Sequence, residues 1–262
     1  MARGRASCFD DAMNVSVEVC VDSVAGVRAA ALGGADRIEL CSSLELGGCT
    51  PSVGLLRAAL EVAGGVPVFA MLRVRAGDFV VDRDDLAAVV ADIEAFRGAG
   101  ADGLVFGALT PEGGIDREAL RVVMEAAGAT PLTFHRAIDC CRDVLHAVDV
   151  LVDAGVPRVL TSGGSPTAPA GHEMIAAMVA RADGRLAVMA GSGVRASNVA
   201  ALVAATGVPE VHLSAGRVVA GPARFGRPEC GFAAPGRADH ERRETDADEI
   251  RAVRAALGSS GL

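Results

Sequence analysis

The stretch "GGADRIELCSS" (residues 33–43) decides the fold. A Gly-Gly-Ala-Asp turn leads into an alternating run, with Ile38 and Leu40 on one face and Glu39 and Cys41 on the other. The same turn-then-strand pattern returns as "GAGADGLVF" (98–106), "DAGVPRVLTS" (153–162) and "ATGVPEVHLS" (205–214). Further aliphatic runs stand at "VSVEVCV" (15–21), "VPVFAMLRVR" (66–75), "PLTFHRAID" (131–139) and "RLAVMAG" (185–191). Between the runs lie Ala-rich amphipathic segments such as "RDDLAAVVADIEAF", "DREALRVVMEAA", "RDVLHAVDVLVDA" and "SNVAALVAA", several opening on Asp or Ser, which favour helix N-caps.

Strands alternating with helices imply parallel pairing through crossovers. Eight such units, in a two-strand repeat used four times, predict a single-domain α/β fold, the (β/α)8 TIM barrel, over residues 15–257. An open doubly wound sheet would carry a G-x-G-x-x-G turn after its first strand, and "VCVDSVAG" is not one. Residues 1–14 read as a flexible leader and 258–262 as a tail. Residues 217–244, rich in Gly, Pro and Arg, read as a long loop before "TDADEIRAVRAAL", the eighth helix.

Composition narrows the function classes. No apolar run approaches the roughly 20 residues of a membrane span. The N-terminal stretch lacks a signal-peptide core. Seven irregularly spaced cysteines suit free thiols in a reducing cytoplasm. With a net charge of −8 and no basic cluster interleaved with aromatics, nucleic acid is not an expected partner.

Side-chain parity then points at a site. Successive strand residues face opposite ways. If Val17, Val19 and Val21 pack on the helices, Glu18 and Cys20 aim into the barrel, and Glu39 and Cys41 do the same. Equivalent positions on adjacent strands would bring the two sulfurs together. By the same rule Arg73 and Arg75 face inward against Val68, Ala70, Leu72 and Val74. His135 shares a parity with Asp139, and His212 with Ser214. These positions fall at the C-terminal mouth, where barrel enzymes place their sites. One buried Glu–Arg pair is most simply structural; carboxylates, guanidiniums, imidazoles and thiols converging on one mouth indicate a cavity with a function. The turn "MAGSGVRASNV" (189–199), with Gly191, Gly193, Ser197 and Asn198, offers backbone N–H groups to an anion. Cys20 and Cys41 suit Cu(I), which soft thiolates select. Cys49, Cys140 and Cys141 receive no role, and Cys8 and Cys230 are expected to be exposed.

Together "VEVCVDS", "GGADRIELCSSLELGGCTPS", "LRVRAGDF", "TFHRAID", "VLTSGG", "MAGSGV" and "EVHLSAG" resemble the bacterial copper homeostasis protein CutC family, over about residues 15 to 216. The resemblance implies a TIM barrel, a cytoplasmic location, a homo-oligomer (dimer or tetramer) and copper binding or tolerance. Its Glu-x-Cys positions fall on Glu18, Cys20, Glu39 and Cys41, its R-x-R motif on Arg73 and Arg75, its F-H-R-x-x-D motif on His135, Arg136 and Asp139, and its last-strand histidine on His212. Cys49 departs from the family's usual apolar residue. Two functions follow. The first is a copper-binding homeostasis protein with Cys20 and Cys41 as Cu(I) ligands. The second is an enzyme on a small anionic, phosphorylated or sugar-like metabolite. There Glu18 or Glu39 is the base, His135 the general acid or a second base, and Asp139 part of the catalytic set. Arg73, Arg75, Arg136, His212 and Ser214 contact the ligand, and a carboxylate pair could hold Mg²⁺ or Mn²⁺.

Overall fold

The structure, a computed structural model, describes residues 15–225 and 241–258. Eight parallel strands close into one barrel in chain order: β1 (Ser16–Val21), β2 (Arg37–Leu40), β3 (Val68–Met71), β4 (Gly103–Phe106), β5 (Leu132–Phe134), β6 (Arg158–Thr161), β7 (Ala187–Gly191) and β8 (Glu210–Leu213). Around them run α1 (Val24–Gly33), α2 (Val53–Val62), α3 (Arg83–Ala99), α4 (Arg117–Ala127), α5 (Val144–Asp153), α6 (His172–Ala182) and α7 (Val199–Thr206). The expected (β/α)8 TIM barrel is the fold. The leader (1–14), Cys8 and Cys230 lie outside the described residues.

The helices start where the sequence supplies an acceptor. Ser23, Ser52, Asp116 and Asp143 each accept a hydrogen bond from a first-turn N–H of α1, α2, α4 and α5, and Asp82 accepts two from α3. Each such cap stabilises its helix by about 1 kcal/mol. The recurrent glycine of the turn motif closes the preceding helix. Gly34, Gly100, Gly155 and Gly207 all sit in the left-handed region (φ 84°, 93°, 73° and 69°), which a side chain makes costly. In the Gly-Ala-Asp version, the aspartate then ties neighbouring strands. Asp36 accepts from the Val17 N–H and Asp102 from that of Val68, both at 2.8 Å.

Parity holds wherever the chain is truly a strand. Val17, Val19, Val21, Ile38, Leu40, Val68, Ala70, Leu104, Phe106, Phe134, Val159, Val188 and Val211 form the continuous core between sheet and helices. Inside the barrel, Cys41, Phe69, Met71 and Val105 make a second apolar cluster. Parity fails where strands stop early. β3 ends at Met71, so the Arg73–Arg75 segment is loop, and β5 ends at Phe134, after which Arg136–Cys140 forms a 3-10 turn. The stretch expected as a long loop begins and ends in strands. β9 (Gly216–Ala220) and β10 (Glu241–Thr245) pair antiparallel above the barrel before α8 (Ala247–Gly258) packs on α1. The fit between α1 and α8 is close: a Cβ on Gly33 would lie 2.7 Å from Ile250 Cβ.

The barrel floor is filled by the Phe69 ring. It is level with Gly103 on β4, whose missing Cβ would lie 2.4 Å from the ring carbons. Filling that space forces Phe69 off its position, at the cost usual for overpacking, about 1–3 kcal/mol. Gly103→Ala should therefore lower the urea midpoint of unfolding, and adding Phe69→Leu should restore at least half of the loss. An unchanged midpoint in Gly103→Ala would contradict the packing described.

Candidate functional site at the barrel mouth

Two polar layers cross the barrel. The lower one is a chain of four charges, three of them buried and Arg158 nearly so. Glu18 Oε2 accepts from Arg37 Nε, Arg37 also donates to Glu210, and Arg158 Nε donates to Glu210 Oε2 at 2.6 Å. Both guanidiniums face the Phe69 ring, with Cζ 5.2 Å and 5.7 Å from its centroid. Two carboxylates and two guanidiniums leave the layer neutral, which a buried ionic cluster requires. A structural Glu–Arg cluster thus does exist, but Arg37, Arg158 and Glu210 build it with Glu18. Sequence reasoning missed those three because it followed parity only toward the strand ends, although each shares the inward phase of Glu39, Leu160 or His212.

The upper layer rests on the lower one through Glu18. Its second oxygen, Oε1, lies 2.7 Å from His212 Nδ1. Burial alone would raise the Glu18 carboxyl, but His212 and Arg37 hold it down at about 2. On the far side of the imidazole, Cys20, Glu39 and His212 bring one sulfur, one oxygen and one nitrogen within 4.8 Å of one another. Burial disfavours a charge on His212, but Cys20, Glu39 and Glu18 outweigh it, raising the imidazole well above its usual range. Burial lifts the Glu39 carboxyl to about 7, with His212 opposing and Glu18 adding to the rise. One Glu39 oxygen, Oε2, lies 3.5 Å from Cys41 Sγ and 3.8 Å from His212 Nε2; the other, Oε1, is buried without a partner.

The register corrects one expectation. Cys20 is level with Glu39, not with Cys41, because the strands are staggered on closing the barrel. Cys41 therefore sits two residues beyond Glu39, just past the end of β2, fully buried against Gly48 and Met71, while Cys20 opens onto the cavity.

A cavity of about 360 Å³ lies above this layer. Its wall includes Cys20, Glu39, Arg73, His135, Arg136 and His212, joined by Gly193, Ser214 and, from β10, Arg243. Arg73 is gripped by three backbone carbonyls, donating to Leu46, Gly48 and Gly77 at 3.0, 3.1 and 2.9 Å. His135 is neutral: burial, then the nearby Arg73 charge, push its imidazole down to about 3. Arg136 is half-exposed and paired with Asp139 and Ser162. Gly191 makes room for its neighbours: a Cβ there would lie 2.5 Å from Leu160 and 3.2 Å from His212. Asn198, expected beside a phosphate, spends its side chain within its own loop on Arg195 N and Gly193 O.

Two expected site residues do not line the cavity. Arg75 points outward and pairs with Asp78 at 3.1 Å and Asp85 at 3.4 Å, since its segment has left the strand. Asp139 is consumed as a clamp, accepting from Arg136, Thr161, Ser162 and the Gly164 N–H, and so fastens the 3-10 turn to the end of β6. All cysteines among the described residues are free thiols. Among the described residues no helix is long and apolar enough to cross a membrane.

Comparison with known proteins agrees with this architecture. The model of the CutC family matches residues 15–217. A family protein CutC from Rhizobium meliloti (strain 1021) is 46% identical over 244 residues, spanning 93% of this chain and 96% of its own. One from Porphyromonas gingivalis (strain ATCC BAA-308 / W83) is 41% identical over 240 residues, 91% of this chain and 96% of its own. Among solved structures, the putative copper homeostasis protein CutC from Streptococcus agalactiae is similar at a TM-score of 0.73 and 32% identity, covering 76% of this chain and 98% of that one. Thiamine phosphate pyrophosphorylase from Pyrococcus furiosus shares the fold alone, with a TM-score of 0.57 at 15% identity over 95% of this chain and 98% of that one.

The raised Glu39 carboxyl makes a signed prediction. The unfolded chain releases this proton near the ordinary 4.5, whereas the folded protein keeps it up to about 7. The contribution is therefore fully present below about pH 4.5 and is lost as pH rises through about 7. Across that window the metal-free protein should lose on the order of 2–3 kcal/mol relative to Glu39→Gln. Urea titrations at several pH values check this, and parallel stability curves would refute it.

Proposed function

The chain belongs to the CutC family, and from that premise we propose that it serves copper homeostasis in the cytoplasm by holding a copper ion on the floor of its barrel mouth. The observation that carries the reading is the meeting of Cys20, Glu39 and His212 within 4.8 Å. The donor set fits such a cargo. A thiolate is the soft ligand that Cu(I) selects, and imidazole is a common copper ligand. Glu18 backs His212 at Nδ1, so that Nε2, once an ion displaces its proton, faces Cys20 and Glu39, the usual outer-shell arrangement of a metal-bound histidine. Glu39 Oε1, buried and without a partner, supplies an oxygen that an ion would satisfy. Cys41 stands behind Glu39 as a second thiol, with burial holding its pKa well above the usual thiol range, and reaches the ion only if Glu39 moves aside.

A hard divalent ion such as Mg²⁺ or Mn²⁺ has less support here. Glu18 is committed to Arg37 and His212, so Glu39 is the one carboxylate of the expected pair that reaches the cavity.

Titration of Cu(I) against a competing chelator tests the reading. Wild type should bind one ion per chain, and Cys20→Ser and His212→Ala should each weaken binding at least about tenfold. Cys41→Ser should weaken it less than either. Unchanged stoichiometry and affinity in Cys20→Ser would end the copper reading.

A further inference from the structure

Three buried side-chain atoms among the described residues lack any hydrogen-bond partner: Glu39 Oε1, Arg73 Nε and His135 Nε2. All three residues line the same cavity. Orphaned buried polar atoms are costly and uncommon, and a bound ligand is one way to complete them. Three chance defects would scatter over the molecule.

The donor and acceptor character of each atom follows from its other contacts. His135 Nδ1 accepts a hydrogen bond from the Ala137 N–H at 3.1 Å, so the proton of the neutral ring is on Nε2, which is a donor. Arg73 spends its terminal nitrogens on the three carbonyls, leaving Nε–H as the open donor, and no carboxylate among the described residues pairs with it. One aromatic ring aligns the two. Phe79 packs against His135 with centroids 5.1 Å apart, and the Arg73 guanidinium carbon lies 4.9 Å from the Phe79 centroid. Two donors on the wall of one cavity, one of them cationic and both packed against the same phenyl ring, suit an oxyanion. Four arginines line the cavity (Arg73, Arg136, Arg195 and Arg243) against the single carboxylate of Glu39. At about 360 Å³ the space suits a small metabolite.

We propose that the cavity above the Cys20, Glu39 and His212 cluster binds a small hydroxylated oxyanion, a carboxylate or a phosphate, through Arg73 Nε–H and His135 Nε2–H, with its hydroxyl donating to Glu39 Oε1. The copper reading leaves Arg73 and His135 unused; the two readings share only Glu39, so this one is tested without copper. A protein that only stored an ion would gain nothing from a rigid cationic wall across the cavity.

The test is ¹⁵N NMR of the His135 Nε2–H and Arg73 Nε–H groups in the chelator-stripped wild-type chain. The probes are glycolate against acetate for the carboxylate source and glycerol 3-phosphate against methyl phosphate for the phosphate source. In at least one pair the hydroxylated member should shift both signals saturably and bind more tightly than its partner; the responding pair identifies the anion. Arg73→Lys, which keeps the cation but loses Nε–H, should weaken that binding at least about tenfold. Because the chain is stripped of copper throughout, a saturable shift of these two signals separates this site from the copper site. Unmoved signals with all four probes up to about 50 mM, or equal binding of hydroxylated and plain members, would overturn the proposal; this readout does not depend on any variant folding.

Discussion

Everything at the mouth depends on how Glu18 divides its two oxygens. One goes down to Arg37 and the other up to His212. Through the first it belongs to a neutral chain with Glu210 and Arg158; through the second it fixes the tilt of the imidazole that meets Cys20 and Glu39. Four charges inside a barrel stabilise it no better than an apolar fill of the same volume. What the chain supplies instead is orientation. Remove the Glu18 carboxylate and Arg37 loses one of its two acids while His212 loses its anchor.

Above that support the mouth has two chemically distinct sides. The β8, β1 and β2 side carries sulfur, imidazole and a reluctant carboxylate. The β3 and β5 side carries a gripped guanidinium and a neutral imidazole, braced on one phenyl ring. A site for an ion alone needs the first side. Under the two proposals an ion and an organic anion would lie next to each other in this mouth, with Glu39 as the group common to both.

Much of this was legible in the sequence because strand alternation is a local rule. Glu18, Cys20, Glu39, Cys41 and His212 all face inward as their parity requires, since the valines and isoleucines between them must meet the helices. The reading failed at Arg75 and Asp139 for one physical reason: parity extends only as far as the strand does, and both residues lie beyond the last ladder bond. The pairing of Cys20 with Glu39 rather than Cys41 was not legible at all. Strand stagger arises from closing the ring, a property of eight strands together that no pair of motifs displays. Arg37, Arg158 and Glu210 were within reach, had the alternation been traced back to the strand starts.

The three donors of the floor come from the first, second and last strands of the barrel, across the seam where the ring shuts. A nascent chain carries Cys20 and Glu39 long before His212 has been synthesised. Until the final strand docks the three donors are not together, so under the copper proposal a truncated or half-made polypeptide would not hold the ion. Once captured, the ion would fasten the beginning of the barrel to its end, and release of cargo would loosen the same seam.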